Sequence, residues 1–165
     1  MTRGLVIGYG NVSRQDDGVA WHVINALARL MQRQPLSLDE DGFDNVGHDL
    51  DMVLMQQLVP ELSEFLAEYD LICFVDAHTG SHPEAQHWES LKLVETASAF
   101  THHMTPSTLL LLSQVLYSKT PQGALLSLRG HKFGFGLDLS QETAQEVEPA
   151  AQRILRWMTK VGVAL

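Results

Sequence analysis

The chain has 165 residues, 45% hydrophobic and 19% charged, which suits one globular domain over residues 1–165 and argues against general disorder. With 11 Lys and Arg against 20 Asp and Glu, the formal net charge is −9. That balance disfavours a nucleic-acid backbone or an anionic membrane surface as partner, because both repel an acidic protein. Cys73 is the single cysteine, which excludes an intramolecular disulfide and any multi-cysteine zinc or iron–sulfur site. No apolar run approaches the roughly 18 residues needed to span a bilayer, and Met1-Thr2-Arg3 leads straight into a strand rather than a signal segment. The expectation is a cytoplasmic monomer.

Leu5-Val6-Ile7 is a wholly apolar run stopped by Gly8-Tyr9-Gly10-Asn11, the pattern of a strand buried on both faces. Val19, Val23, Ile24, Leu27, Leu30 and Met31 then recur at helical spacing, with Asp16 and Asp17 placed to cap the helix they begin. Residues 35–51 carry six acids and read as a solvated loop with a fragment of strand at its start. Their spacing lacks the regular oxygen pattern of a calcium loop. Met52 to Met55 reads as a strand and Pro60 to Tyr69 as a helix with Pro60 in its first turn. Leu71 to Val75 is the most apolar strand, with Cys73 inside it as a buried, inert thiol; it ends on Asp76-Ala77-His78-Thr79-Gly80. Leu91 to Val94 reads as a further strand. Thr105-Pro106 opens a helix that runs to about Tyr117, and Ala124 to Leu128 is another strand. A glycine-rich segment, Gly130 to Gly136, precedes a last helix from about Ser140 to Met158. There Val147, Ala151, Ile154, Leu155 and Met158 share a face, and Pro149 is expected to kink the helix or mark its true start.

Strands alternating with helices predict a three-layer αβα sandwich on a mostly parallel, about five-stranded sheet. Ligand sites in such sheets lie beyond the carboxyl ends of the strands, where both Gly8 to Asp17 and Asp76 to Gly80 fall. The turn Gly8-Tyr9-Gly10-Asn11-Val12-Ser13 is not a dinucleotide fingerprint: Ser13 stands where the third glycine belongs, and Asp16-Asp17 would repel a pyrophosphate. Asp16 and Asp17 have an ordinary reading as caps. With Asp76 at a strand end and His103 before a helix, they can equally form an open oxygen/nitrogen metal site or an acid/base set. No thiolate is present for a closed structural zinc site, and no G-x-S-x-G elbow for a serine hydrolase. Among the other histidines, His22 reads as a packed or surface residue and His78 as a group behind Asp76. His131 reads as a substrate contact, and His48, His82 and His87 as polar loop residues.

Three blocks in this order resemble the hydrogenase maturation proteases, the endopeptidases that trim the large subunit of nickel–iron hydrogenases. They are Gly8-Tyr9-Gly10-Asn11 with Asp16-Asp17-Gly18-Val19, then Phe74-Val75-Asp76-Ala77 preceded by Gln57 to Leu62, and Thr101-His102-His103 before a leucine-rich helix. Arg129-Gly130-His131, Phe135-Gly136 and Leu139-Ser140 resemble the tail of one branch, so the likeness spans roughly residues 5 to 158. The resemblance implies an endopeptidase that removes the C-terminal extension of a nickel–iron hydrogenase large-subunit precursor once nickel is inserted. Nickel, supplied by the substrate, is then contacted by Asp17, Asp76 and His103, which are the implied catalytic and metal-binding residues. Many members have glutamate where Asp17 stands, and Asp16 is the neighbouring acid of the same motif. Either nickel or an aspartate then carries the hydrolysis. The alternative is a nickel-binding hydrogenase assembly chaperone without peptidase activity.

Overall fold

Alternation along the strands decides which layer each apolar residue enters. In β1 (Gly4–Tyr9), Leu5 and Ile7 face one side of the sheet and Val6 the other; in β3 (Leu71–His78), Ile72 and Phe74 oppose Leu71, Cys73 and Val75. The computed structural model describes residues 1–93 and 104–165. The remaining elements are α1 (Val19–Leu30), β2 (Leu50–Met55), α2 (Leu62–Leu66), β4 (Gln86–Ser90), α3 (Pro106–Tyr117), β5 (Gln122–Arg129) and α4 (Gln141–Val161). Helices α1 and α4 pack together on the Val6–Cys73–Val75 face, and α2 and α3 on the Leu5–Ile72–Phe74 face. This is the expected three-layer αβα sandwich. Each fully buried Leu, Ile or Phe between the layers contributes roughly 1.5–3 kcal/mol. Cys73 is fully buried, and burial pushes its thiol well above the ordinary range.

The sheet runs in the order β2-β1-β3-β5-β4, parallel throughout except for the antiparallel edge strand β4. From β1 the chain crosses to β2 on one side and then to β3 on the other. The β1/β3 boundary is therefore the point where the strand order reverses, and a crevice opens there beyond the carboxyl ends. Tyr9 ends β1, and its register neighbour on β3 is Asp76, one step past the Gly8–Val75 pair.

Several elements differ from the sequence reading. The edge strand is Gln86–Ser90, whereas Leu91 to Lys92 and Leu93 lie outside it and Val94 is outside the described residues. Gln-His-Trp-Glu-Ser has the polar make-up that edge strands use to avoid further pairing, which hides it from an apolar-run criterion. The α2 helix covers only Leu62–Leu66, because its flanks close i to i−3 bonds: Ser63 N–H to Pro60 O at 3.1 Å and Tyr69 N–H to Leu66 O at 3.1 Å. No strand fragment starts the acidic loop; Asn25 clamps it there instead, its amide bonding both the N–H (2.8 Å) and the carbonyl (3.0 Å) of Leu36. At its other end the loop ends earlier than expected, since β2 begins at Leu50 and takes in Asp51. That carboxylate is fully buried, accepting from the Tyr69 hydroxyl at 2.6 Å and from Arg3 at 3.1 Å. Pro149 sits inside α4, which starts at Gln141 behind a Ser140 cap, so proline does not mark the helix start.

Candidate functional site

Asp16 and Asp17 do not cap α1. They lie on a short 3-10 turn, Gln15–Gly18, that precedes it, and α1 starts with no side-chain cap. On so tight a turn, adjacent side chains leave in different directions, and the two acids have different fates. The Asp16 carboxylate is fully buried and points away toward the segment between β5 and α4. It accepts five hydrogen bonds: from the N–H of His131 (2.7 Å), Lys132 (2.9 Å) and Ser140 (2.8 Å), and from the hydroxyls of Ser140 (2.6 Å) and Thr143 (3.0 Å). Burial acts to raise its pKa, but these donors outweigh it and hold the carboxyl at about 2. Asp16 is therefore a structural anion that staples two distant segments, fully buried and outside the lining of the cavity that Asp17 enters.

Asp17 remains available. One of its oxygens accepts from the Asn11 N–H at 2.9 Å, and the side chain lines a cavity of about 240 Å³. Two glycines make this placement possible. Gly10 has φ +139°, and a Cβ there would stand 2.1 Å from the Asp17 carbonyl oxygen; a Cβ on Gly18 would stand 2.5 Å from Cα of Val12. The same cavity is lined by Tyr9, Gln56, Asp76 and Met104, at the carboxyl ends of β1, β2 and β3. Asp76 projects to the same side of the sheet as Phe74, and Tyr9 to the same side as Ile7, so the two side chains meet over the reversal point. Burial pushes the Asp76 carboxyl up to about 6; the neighbouring Tyr9 hydroxyl acts the other way, and the negative charge of Asp17 adds to the rise. The Tyr9 phenol is in turn raised by burial and by the charge of Asp76.

The structure thus brings together Asp17 and Asp76, with Tyr9, Gln56 and Met104 around them. His103 lies outside the described residues, as do Thr101 and His102; the next residue, Met104, lines the cavity. Among the described residues no three His, Cys, Asp or Glu converge as metal ligands. The two carboxylates offer hard oxygen donors whose mutual repulsion a divalent cation would relieve, so the donor chemistry fits a cation with further ligands from elsewhere. His78 does not stand behind Asp76: its Nδ1 accepts from the Gly80 N–H at 3.1 Å, and its ring packs edge-on against His82, itself stacked on His87 at 3.6 Å. His22 is half-buried against Trp21. His131 is exposed and engages the structure through its backbone N–H to Asp16. Tyr9, Gln56 and Met104 are lining residues to which the sequence reading gave no role. Tyr9 stood in the glycine-rich turn, and its position at a strand end beside Asp76 was the signal.

A larger cavity, about 560 Å³, lies at the opposite end of the sheet among Leu30, Arg33, His48, Leu50 and Leu155. Its one acidic side chain is Asp49, with Arg33 on the same wall, so chemistry and size point to different ends of the molecule, and chemistry favours the smaller cavity. No described helix is long and apolar enough to cross a membrane.

No protein-family model and no curated protein matches the chain by sequence. Solved structures do share its fold. The hydrogenase maturating endopeptidase HybD from E. coli superposes with a TM-score of 0.66 at 20% identity, over 98% of this chain and 94% of that one. The [NiFe] hydrogenase maturation protease HycI from Thermococcus kodakarensis KOD1 gives 0.63 at 19% identity, over 96% and 93%. The hydrogenase 2 maturation peptidase from a Thaumarchaeota archaeon gives 0.62 at 18% identity, over 96% and 99%. The five-stranded αβα fold described above is the fold of these maturation endopeptidases.

Proposed function

We propose that this chain is an endopeptidase that removes the C-terminal extension of a nickel–iron hydrogenase large-subunit precursor after nickel insertion. Asp17, Asp76 and His103 are the residues that meet the substrate's nickel. The observation that carries the reading is the pairing of Asp17 and Asp76 in one cavity at the β1/β3 reversal point, in a chain with the fold of solved hydrogenase maturation endopeptidases. The burial and like charge that raise Asp76 are what a divalent cation would relieve. A precursor that arrives with nickel is therefore favoured over one that arrives without it, and the metal acts as the recognition element. In the hydrolytic step, water adds to the scissile carbonyl carbon, a carboxylate of the pair takes its proton and the proton passes to the departing amine. The products are a new C-terminal carboxylate and the released tail.

The test is an electrophoretic-shift assay of nickel-loaded precursor, with metal-free precursor as control. Wild-type protein is expected to shorten only the loaded form, and Asp76→Asn to leave it uncut while melting no lower than wild type, since the neutral amide avoids the burial cost of the charge. Binding of the loaded precursor without shortening would favour the assembly-chaperone reading. Full processing by folded Asp76→Asn would remove Asp76 from the reaction.

A further inference from the structure

Residues 130–139 form a loop whose backbone is fixed at many points to the turn that carries Asp17. The Gln15 N–H donates to Gly136 O (2.9 Å), the Gly136 N–H to Ser13 O (2.9 Å), the Gly134 N–H to the Gln15 side-chain oxygen (2.9 Å), and Arg14 to Phe133 O (3.3 Å). Asp16 holds the base of the loop through His131, Lys132 and Ser140. Gln15 is held at φ 53°, a left-handed conformation that a non-glycine residue keeps only where its surroundings impose it. Within this fixed frame, Phe133 tucks its ring against Gly130, while Phe135 is 95% exposed and Leu137 46% exposed.

An aromatic ring held outward on a rigid loop loses little conformational freedom when a partner covers it, and aromatic side chains dominate protein interfaces. We propose that Phe135 is the anchor by which the polypeptide substrate docks beside the Asp17–Asp76 cavity, through an apolar pocket on the substrate rimmed by acidic groups. The inference rests on the endopeptidase reading. The loop and the site share one turn, so a protein whose segment enters the cavity lies against the loop. The exposed charged residues of the loop and of the turn bonded to it are Arg14, which donates to Phe133 O, Lys132 and Asp138, a local excess of positive charge on a chain of net charge −9, which suits an acidic rim. A second copy of this chain is disfavoured as the occupant because two bodies of charge −9 repel.

The experiment measures initial rates of shortening against the concentration of nickel-loaded precursor for wild type, Phe135→Ala and Phe135→Trp. Phe135→Ala is expected to raise KM at least tenfold with kcat within twofold, and Phe135→Trp to keep KM near the wild-type value. An unchanged KM in Phe135→Ala, while wild type cleaves, overturns the docking role and leaves the endopeptidase reading standing. A wild type that never shortens its cognate precursor overturns that reading and this inference with it. Sedimentation velocity supplies the remaining arm: a wild-type dimer that Phe135→Ala dissociates would assign the ring to self-association and overturn the proposal. No hydrogen bond of the loop uses the Phe135 side chain, so the alanine variant is expected to melt with wild type.

Discussion

Replacing Asp16 by asparagine tests whether the two neighbouring acids do different work. The carboxylate accepts four donors on Oδ2 and the Ser140 N–H on Oδ1, all within 2.6–3.0 Å and fully buried. An amide oxygen can take the place of Oδ2, but its NH2 group then faces the Ser140 N–H donor. The displacement of the pKa from 3.8 to about 2 corresponds to about 2.5 kcal/mol of preference for the charged form, at about 1.4 kcal/mol per pH unit. Adding the donor left facing a donor, Asp16→Asn should cost about 2–4 kcal/mol, a large share of the roughly 5–15 kcal/mol that stabilises a domain. Urea unfolding at pH 7, followed by circular dichroism, reads this directly. The group is depressed in the folded state, so its contribution is fully present above the unfolded value of 3.8 and is lost as pH falls through about 2. Wild type and Asp16→Asn should therefore converge in stability between pH 4 and pH 2. Where both are folded, Asp16→Asn should still trim precursor and Asp17→Asn should not. A loss under about 0.5 kcal/mol at pH 7, or equal loss of processing in both variants, would refute the division of labour.

Gly10→Ala places a methyl group 2.1 Å from the Asp17 carbonyl at φ +139°, so it should displace the Asp17 turn. The expected outcome is a lower melting temperature by calorimetry together with lost processing, whereas a variant that melts and cuts as wild type would contradict the close approach. Cys73 should be inert to a thiol reagent in the native protein and react in full once urea unfolds it, because burial both blocks access and raises the thiol pKa.

Much of this architecture is legible in the sequence because it rests on local patterns. The apolar runs of β1 and β3, the Thr105-Pro106 opening of α3 and the Ser140 start of α4 follow from side-chain period and capping chemistry, and Thr105 and Ser140 do accept from Thr108 and Thr143. The convergence of Asp17 and Asp76 on one edge follows from the parallel topology. What stays hidden depends on contacts far along the chain. Nothing local separates Asp16 from Asp17, since the donors that claim Asp16 lie 115 to 127 residues away. Asp51 likewise reads as a loop acid until Tyr69 and Arg3 close on it. The polar β4 is a strand only because β5 supplies its partner.

The Asp16 staple also sets an order of events. Loop-closure entropy makes a contact spanning more than a hundred residues slow to gain, so the turn bearing Asp17 should acquire its final shape only after β5 and the start of α4 are in place. Such late contacts are weakly formed at the folding barrier, and their loss appears mainly in the unfolding rate. Stopped-flow kinetics on Asp16→Asn should show faster unfolding with refolding nearly unchanged. A half-folded chain would then hold both acids of the cavity without their final geometry, which on the endopeptidase reading proposed above delays competence until the last segment docks.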